Sequence, residues 1–236
     1  MEEQKFLSGA WGSAAQEDKM DRETFFREVM GVQTRELLDW GVENAIEKTV
    51  WKGETLLRAG EQQTHLWLLV RGIFRGFRLD EQGQEVTICI DNRPGETLLG
   101  NNDLLAASLV TVEALEDGAV IGFPMDKAVE CIKSNQEMMA LYHKRLVRMA
   151  NYNASVKSIL CQGTATQRFD WFCKEYPGLI EQVNNRCVAS FLGMTPVTFS
   201  RLRHGVATKE ARENKEKSSR PGKKSPSGQV KNKKKA

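Results

Sequence analysis

The chain has 236 residues, 40% of them hydrophobic and 8% aromatic, enough for a real core in one large domain or two small ones. No apolar run approaches the roughly 18 residues of a membrane span. The opening Met1-Glu-Glu-Gln-Lys5 lacks the basic-then-apolar layout of a signal peptide, so a cytoplasmic protein with no membrane partner is expected.

Residues 1–20 are polar and rich in Gly, Ala and Ser, which reads as a flexible extension. From Arg22 to Trp40, Phe25, Phe26, Val29, Met30, Leu37 and Leu38 recur at helical spacing and predict short helices. From Glu47 to Phe123 the character changes. Gly53, Gly60, Gly72, Gly83, Gly95 and Gly100 punctuate short β-rich runs: Leu66–Val70, Ile73–Leu79, Val86–Ile90, Val110–Val112 and Val120–Phe123. Asp80-Glu-Gln-Gly83 is a hairpin turn. Many short strands with glycine turns predict an antiparallel roll or barrel.

A long helix is expected from about Asn135 to Leu160. Met139, Tyr142, Leu146, Met149, Asn153, Val156 and Leu160 are spaced alternately three and four apart, a heptad seam, with Lys144, Arg145, Arg148 and Lys157 outside it. Such a seam either packs on its own domain or pairs two chains. No second helix of matching length exists in the chain to cover it, so a parallel homodimer is expected. Asn153, the single polar member, fixes register or faces a ligand. After a break at Gln162–Ala165, a second helical pattern runs from Gln167 to Glu175, followed by Tyr176-Pro-Gly178 and Leu179–Val183.

The stretch from Asn185 to Arg203 reads as a helix-turn-helix. Ala189 is small where two helices must cross closely, and Gly193 supplies a left-handed residue for the turn. Thr195 is a good N-cap and Pro196 sits at N1, where its missing N–H costs nothing. Val188, Leu192, Phe199 and Leu202 then face inward, while Pro196, Val197, Ser200, Arg201 and His204 face out. Short or polar groups and a cation suit a helix entering a major groove about 12 Å wide. The DNA-contacting set is Thr195, Pro196, Val197, Thr198, Ser200, Arg201 and Arg203.

The net charge of +3 hides a split: residues 207–236 carry eleven Lys/Arg against three Glu, a net of +8, leaving −5 on the rest. Almost nothing apolar anchors that tail, so a disordered basic segment is expected, able to add phosphate affinity. Cys89, Cys131, Cys161, Cys173 and Cys187 are odd in number and widely spaced, without a Cys-x-x-Cys. That argues against a disulfide framework, zinc or an iron–sulfur cluster and for buried reduced thiols. No metal ligand set is assigned.

The order of β-roll, long helix, short linker and helix-turn-helix resembles the Crp/Fnr family of bacterial transcription regulators. The resemblance spans Lys48 to His204 and rests on Lys52-Gly-Glu54, Ala59-Gly-Glu61, Leu69-Val-Arg-Gly72, Asp80-x-x-Gly83 and Arg93-Pro-Gly-Glu96. Its most specific part is C-terminal: Arg168, Tyr176-Pro177, Ala189-Ser190, Leu192-Gly-Met-Thr-Pro196 and Ser200-Arg-Leu-Arg203. This resembles the subgroup with a Thr-Pro opening to its recognition helix. The resemblance implies an α+β fold: an N-terminal antiparallel β-roll like a cyclic-nucleotide-binding domain, a long dimerisation helix and a C-terminal winged-helix-like helix-turn-helix domain. The implied division is extension 1–20, effector-sensing roll 21–134, dimerisation helix 135–161, DNA-binding domain 162–206 and tail 207–236. Implied partners are double-stranded DNA, a second copy of the chain, RNA polymerase and a small-molecule effector.

The departures narrow the effector. Cyclic-nucleotide-binding members carry a Glu for the ribose and an Arg for the cyclic phosphate after the Pro-Gly turn; here Asn101 and Ser108 fall near those positions. No Lys or Arg lies between Gly95 and Val112, where the only charges are Glu96 and Asp103. A buried phosphate without a cation loses charge-assisted bonds worth roughly 1.5–3 kcal/mol each, which argues against cyclic AMP. The effector pocket is expected at Gly100, Asn101, Ser108 and Asn153, the last placed by resemblance, counting back from Arg168. The N-terminal iron–sulfur cysteines of Fnr are absent. With only His65, His143 and His204, the ligand supply for haem is poor. In the recognition helix, Val197 and Pro196 replace the family's usual Glu and Arg, so the operator differs; Arg201 keeps the position that reaches a guanine.

Two other classes remain open at this level. One is a small-molecule sensor acting through protein partners, against which the helix-turn-helix and tail speak. The other is an enzyme on a cupin-like barrel, which needs clustered histidines where only His65 is available. A non-enzymatic regulator is expected.

Overall fold

The computed structural model describes residues 21–205; the N-terminal extension and the basic tail expected at 1–20 and 207–236 lie outside them. The chain divides into two compact units, with the boundary between Tyr152 and Asn153.

The first unit opens with α1 (Arg22–Thr24), capped by the Asp21 carboxylate, which accepts from the Glu23 and Thr24 amides. A π-helical turn (Phe25–Val29) and α2 (Arg35–Asn44) follow. Eight strands come next: β1 (Ile46–Val50), β2 (Thr55–Leu57), β3 (His65–Arg71), β4 (Phe74–Leu79), β5 (Glu85–Asp91), β6 (Thr97–Leu98), β7 (Thr111–Ala114) and β8 (Gly118–Pro124). They form two antiparallel four-stranded sheets, ordered β1-β8-β3-β6 and β2-β7-β4-β5. The strands missing from the sequence reading are β1, β2 and β6, which are short or carry weak apolar alternation.

The two sheets close on one interior built from both: Val50, Leu69, Leu98 and Val120 from the first, Phe74, Val112 and Ala114 from the second. The other face of the first sheet is covered as well. Leu66 and Leu68 of β3 and Ile121 and Phe123 of β8 pack against Phe25, Phe26, Leu37 and Leu38, together with α3 (Met125–Ser134). A strand buried on both faces is apolar at every position rather than at alternate ones. That is why Leu66–Val70 and Val120–Phe123 are continuous apolar runs. The alternation still shows in what each residue touches: Trp67 turns to the interior, where its register partner is Gly122, and any Cβ at Gly122 would overlap the indole.

The long helix α4 (Gln136–Gln162) follows α3 directly. Asn135 caps it by accepting from the Met138 amide, and Glu137 in its first turn accepts from the Gln33 and Thr34 amides and the Thr34 hydroxyl. Its first half packs Met138, Leu141 and Tyr142 on the outer core of the roll. Tyr142, a member of the heptad seam, therefore faces its own domain. No residue of α4 is fully buried, and Met139 and Val147 are each nearly half exposed. No described helix is long and apolar enough to cross a membrane.

The second unit contains the end of α4, then α5 (Ala165–Glu175), α6 (Leu179–Gln182), α7 (Asn185–Phe191) and α8 (residues 196–205). Thr164 and Gln167 form a capping box on α5. The core is aromatic: Phe169 meets Phe199 at 5.5 Å between ring centroids, and Phe172 lies against Tyr176 and Phe191 at 5.0 and 6.1 Å. Among its described residues this unit holds helices and no strand.

None of the five cysteines is in a disulfide, and not all of them are buried. Cys131 is enclosed, its thiol pushed up to about 11 by burial, whereas Cys161 is exposed near the end of α4. The expectation of buried thiols is met at Cys131, only in part at the half-buried Cys89, Cys173 and Cys187, and is corrected at Cys161, which lies on a helix with no fully buried residue.

Candidate nucleic-acid interface and the β-roll loop

The turn between α7 and α8 is built as its residues dictate. Gly193 adopts φ +59°, and the Met194 amide donates to the Ala189 carbonyl at 3.0 Å. Thr195 Oγ1 accepts from the Thr198 amide at 3.1 Å and shares a hydrogen bond with the Thr198 hydroxyl. Val188, Ala189, Leu192 and Phe199 are entirely enclosed, and Leu202 is half-buried.

Two arginines hold this pair of helices in place. Arg168 Nη1 of α5 donates to the carbonyls of Leu192 at 2.7 Å and Gly193 at 3.0 Å, satisfying the open C-terminal end of α7. Arg203 of α8 donates to Asn185 Oδ1 and to Glu181 Oε2, both at 2.7 Å. Arg203 was expected to touch DNA; here it ties α8 to α6 and α7. The remaining candidates separate by exposure. Pro196, Val197 and Arg201 are exposed, as is Thr195, whose hydroxyl is used in the cap; Thr198 and Ser200 are half-buried. His204 is exposed beyond them. Val197, 60% exposed, is a large apolar side chain with no share in the unit's core.

In the first unit, three of the four effector-pocket candidates come together, and the space between them is filled. Gly100 lies so close to Ser108 that any Cβ would overlap the Ser108 hydroxyl. Ser108 is buried and donates to the Val110 carbonyl at 2.5 Å. Asn101 Nδ2 donates to the Ala107 carbonyl at 3.0 Å, and the Leu109 amide donates to the Gly100 carbonyl at 2.9 Å. Inside this loop stands Gln63, 2% exposed. Its Oε1 accepts from the Gly100 and Asn101 amides at 2.9 and 3.1 Å. Its Nε2 faces the carbonyls of Asn101, Asp103 and Ala106 at 3.2, 3.0 and 3.2 Å. The fourth candidate, Asn153, belongs to the second unit and is exposed on α4.

A second polar junction joins the β5–β6 turn to α4. The Glu96 amide donates to the Arg93 carbonyl, with Pro94 and Gly95 (φ +82°) at the centre, a type II turn. Arg145 of α4 reads this turn with its whole guanidinium: Nε donates to Thr97 Oγ1 at 2.8 Å, Nη1 to the Gly95 carbonyl at 2.6 Å, and Nη2 to Glu96 at 3.1 Å. Arg148 reaches the other oxygen of Glu96 at 2.6 Å. Beside it, burial and the Glu96 carboxylate push the Asp91 carboxyl up to about 7, against the opposing pull of Arg145. The sequence placed Arg145 outside the seam without a role. Its partners lie about fifty positions away, beyond any local pattern.

This roll also matches a known family. Residues 47–135 fit the family model described as Cyclic nucleotide-binding domain. The β-roll has the fold of a cyclic nucleotide-binding domain. No curated protein matches the chain. Solved structures share the fold at low identity. FixK2 from Bradyrhizobium japonicum is 18% identical with a TM-score of 0.63, covering 70% of this chain and 86% of its own. The c-di-GMP-responsive global regulator CLP of Xanthomonas campestris is 10% identical with a TM-score of 0.58, covering 71% and 89%. A protein from Eubacterium rectale assigned to the Crp/Fnr family of transcriptional regulators is 16% identical with a TM-score of 0.57, covering 77% and 87%. At these identities the likeness is one of fold.

Proposed function

We propose that this chain is a sequence-specific DNA-binding transcription regulator of Crp/Fnr type. It acts as a homodimer on a palindromic operator, and a small effector other than cyclic AMP sets its DNA affinity. The observation that carries the reading is the mounting of α8. The Phe199 ring and the Arg203 strut hold the helix itself, the Arg168 clamp holds the turn that leads into it, and the side left exposed presents Pro196, Val197 and Arg201. A rigid helix with a short apolar edge and a cation is suited to base edges: Val197 to a thymine methyl, Arg201 bidentate to guanine O6 and N7. Thr195, Thr198 and Ser200 would contact backbone phosphates near the helix start. The described C-terminal unit is small, so one copy covers one half-site. Pairing through the α4 seam supplies the second, with RNA polymerase as the downstream partner.

The test is selection of bound sites from a random-sequence DNA pool by the full chain. An inverted repeat should emerge, with half-site centres about one helical turn, roughly 34–36 Å, apart. A pool that retains no common motif after repeated rounds overturns the reading and favours a sensor that signals through protein partners.

A further inference from the structure

We propose that Gln63 is a built-in ligand of the β-roll: its side chain occupies the loop from Gly100 to Leu109, takes the loop's inward donors, and closes it to small anionic ligands. The proposal rests on the reading of residues 47–135 as a cyclic nucleotide-binding domain, since it concerns what that domain no longer takes up.

The argument begins with hydrogen-bond arithmetic. A primary amide offers one carbonyl oxygen with two lone pairs and two N–H donors. Gln63 Oε1 meets two backbone amides and Nε2 meets three carbonyls. The reverse orientation would place an oxygen against three oxygens, so the environment itself fixes which end is which. Every polar valence of the side chain is used. Five further amides of the loop are also engaged within the chain. The amides of Asp103 and Leu105 donate to the Asn101 and Asp103 side chains, and those of Ala106, Ser108 and Leu109 to the carbonyls of Asp103, Glu61 and Gly100. An anion entering here needs N–H donors or a cation. The Gly100 and Asn101 amides are taken, and the sequence from Gly95 to Val112 supplies no Lys or Arg. Three carbonyls and the Asp103 carboxylate add repulsion. Leu57 and the Gly100–Ser108 contact fill the adjoining interior, where a Cβ on Gly100 would stand 3.2 Å from Leu57. The loop is thus held by the chain's own glutamine.

Replacement by glutamate separates this role from mere packing. Gln63→Glu keeps shape and volume, and one carboxylate oxygen still accepts from Gly100 and Asn101. The other faces three carbonyls, so the loop should open at neutral pH and close again when the carboxyl is protonated. The measurement is amide hydrogen exchange at Gly100 and Asn101 in the full chain without added ligand, each rate divided by its unstructured rate at the same pH. The wild-type amides should be protected at both pH 7.5 and pH 5. Gln63→Glu should lose at least about ten-fold of that protection at pH 7.5 and regain most of it at pH 5. Gln63→Ala should lose it at both. Wild-type amides exchanging at unstructured rates, or a glutamate variant protected like the wild type at pH 7.5, overturns the proposal. A second arm needs no variant: calorimetric titration of the wild-type chain with cyclic AMP and cyclic GMP. No saturation is expected up to millimolar nucleotide, and micromolar binding with renewed shifts at Gly100 and Asn101 overturns it. Neither arm uses DNA, so failure here and failure of the operator selection are separately readable.

Discussion

Arg201 carries the sharpest statement at the scale of a single residue. If it pairs with a guanine edge, Arg201→Ala should cost about 1–3 kcal/mol on the selected operator and leave binding to random DNA nearly unchanged. Competitive gel shifts measure both, and equal losses would make Arg201 a phosphate contact. Asp91 offers a test that needs no DNA. Its carboxyl stands at about 7 in the folded chain against 3.8 for an unperturbed aspartate. Between those values the folded chain holds a proton that the unfolded chain releases. Stability therefore falls as pH rises through that window, by up to about 1.4 kcal/mol per pH unit, and levels off above pH 7. Asp91→Asn, neutral at every pH, should remove that slope and be more stable than the wild type at pH 8. Urea unfolding at pH 5 and pH 8 decides it, and an unchanged difference between wild type and variant would place the Asp91 carboxyl in water.

At the scale of the element, α4 meets two different demands along one helix. Its first half is bound to the roll by Met138, Leu141, Tyr142 and Arg145, so these positions are committed within the chain. Met139, Leu146, Met149, Val156 and Leu160 are all at least partly exposed and are the positions through which the proposed dimer would pair. Met149→Lys should split the dimer by burying an unpaired charge. Asn153→Leu should tighten it, because an amide at a seam position costs about 1–3 kcal/mol when unpaired, and it should break the response to effector. Sedimentation velocity at micromolar concentration measures both. A Met149→Lys chain that stays fully dimeric would remove the long helix from the interface and, with it, the sensing role of Asn153.

At the scale of the whole molecule, charge is distributed unevenly enough to matter. Residues 207–236 carry a net +8 on a chain whose total is +3. Deleting them should weaken DNA binding at low salt and flatten the dependence of affinity on salt, by about 0.9 in the log–log slope for each phosphate no longer neutralised. Binding isotherms across a salt series would show it, and an unchanged slope would leave the tail without a phosphate role. The selectivity for the operator should persist, since base readout is assigned to α8.

What the residues determine locally, they determine well. The turn at Gly193 and the cap at Thr195 follow from left-handed backbone and side-chain capping, which act over four or five positions. The strands of Leu66–Val70 and Val120–Phe123 follow from continuous burial, and α4 from a repeat sustained over many turns. Tertiary structure decided which polar groups go inside. Gln63 sits in the tract Glu61-Gln-Gln-Thr64, which looks like surface, and Arg145 is one of several cations on a helix. Arg203, expected at the DNA, is held by Asn185 and Glu181. The partners of all three lie between 18 and 50 positions away. A buried polar side chain is stable only when distant groups converge on it, and no local periodicity encodes that convergence.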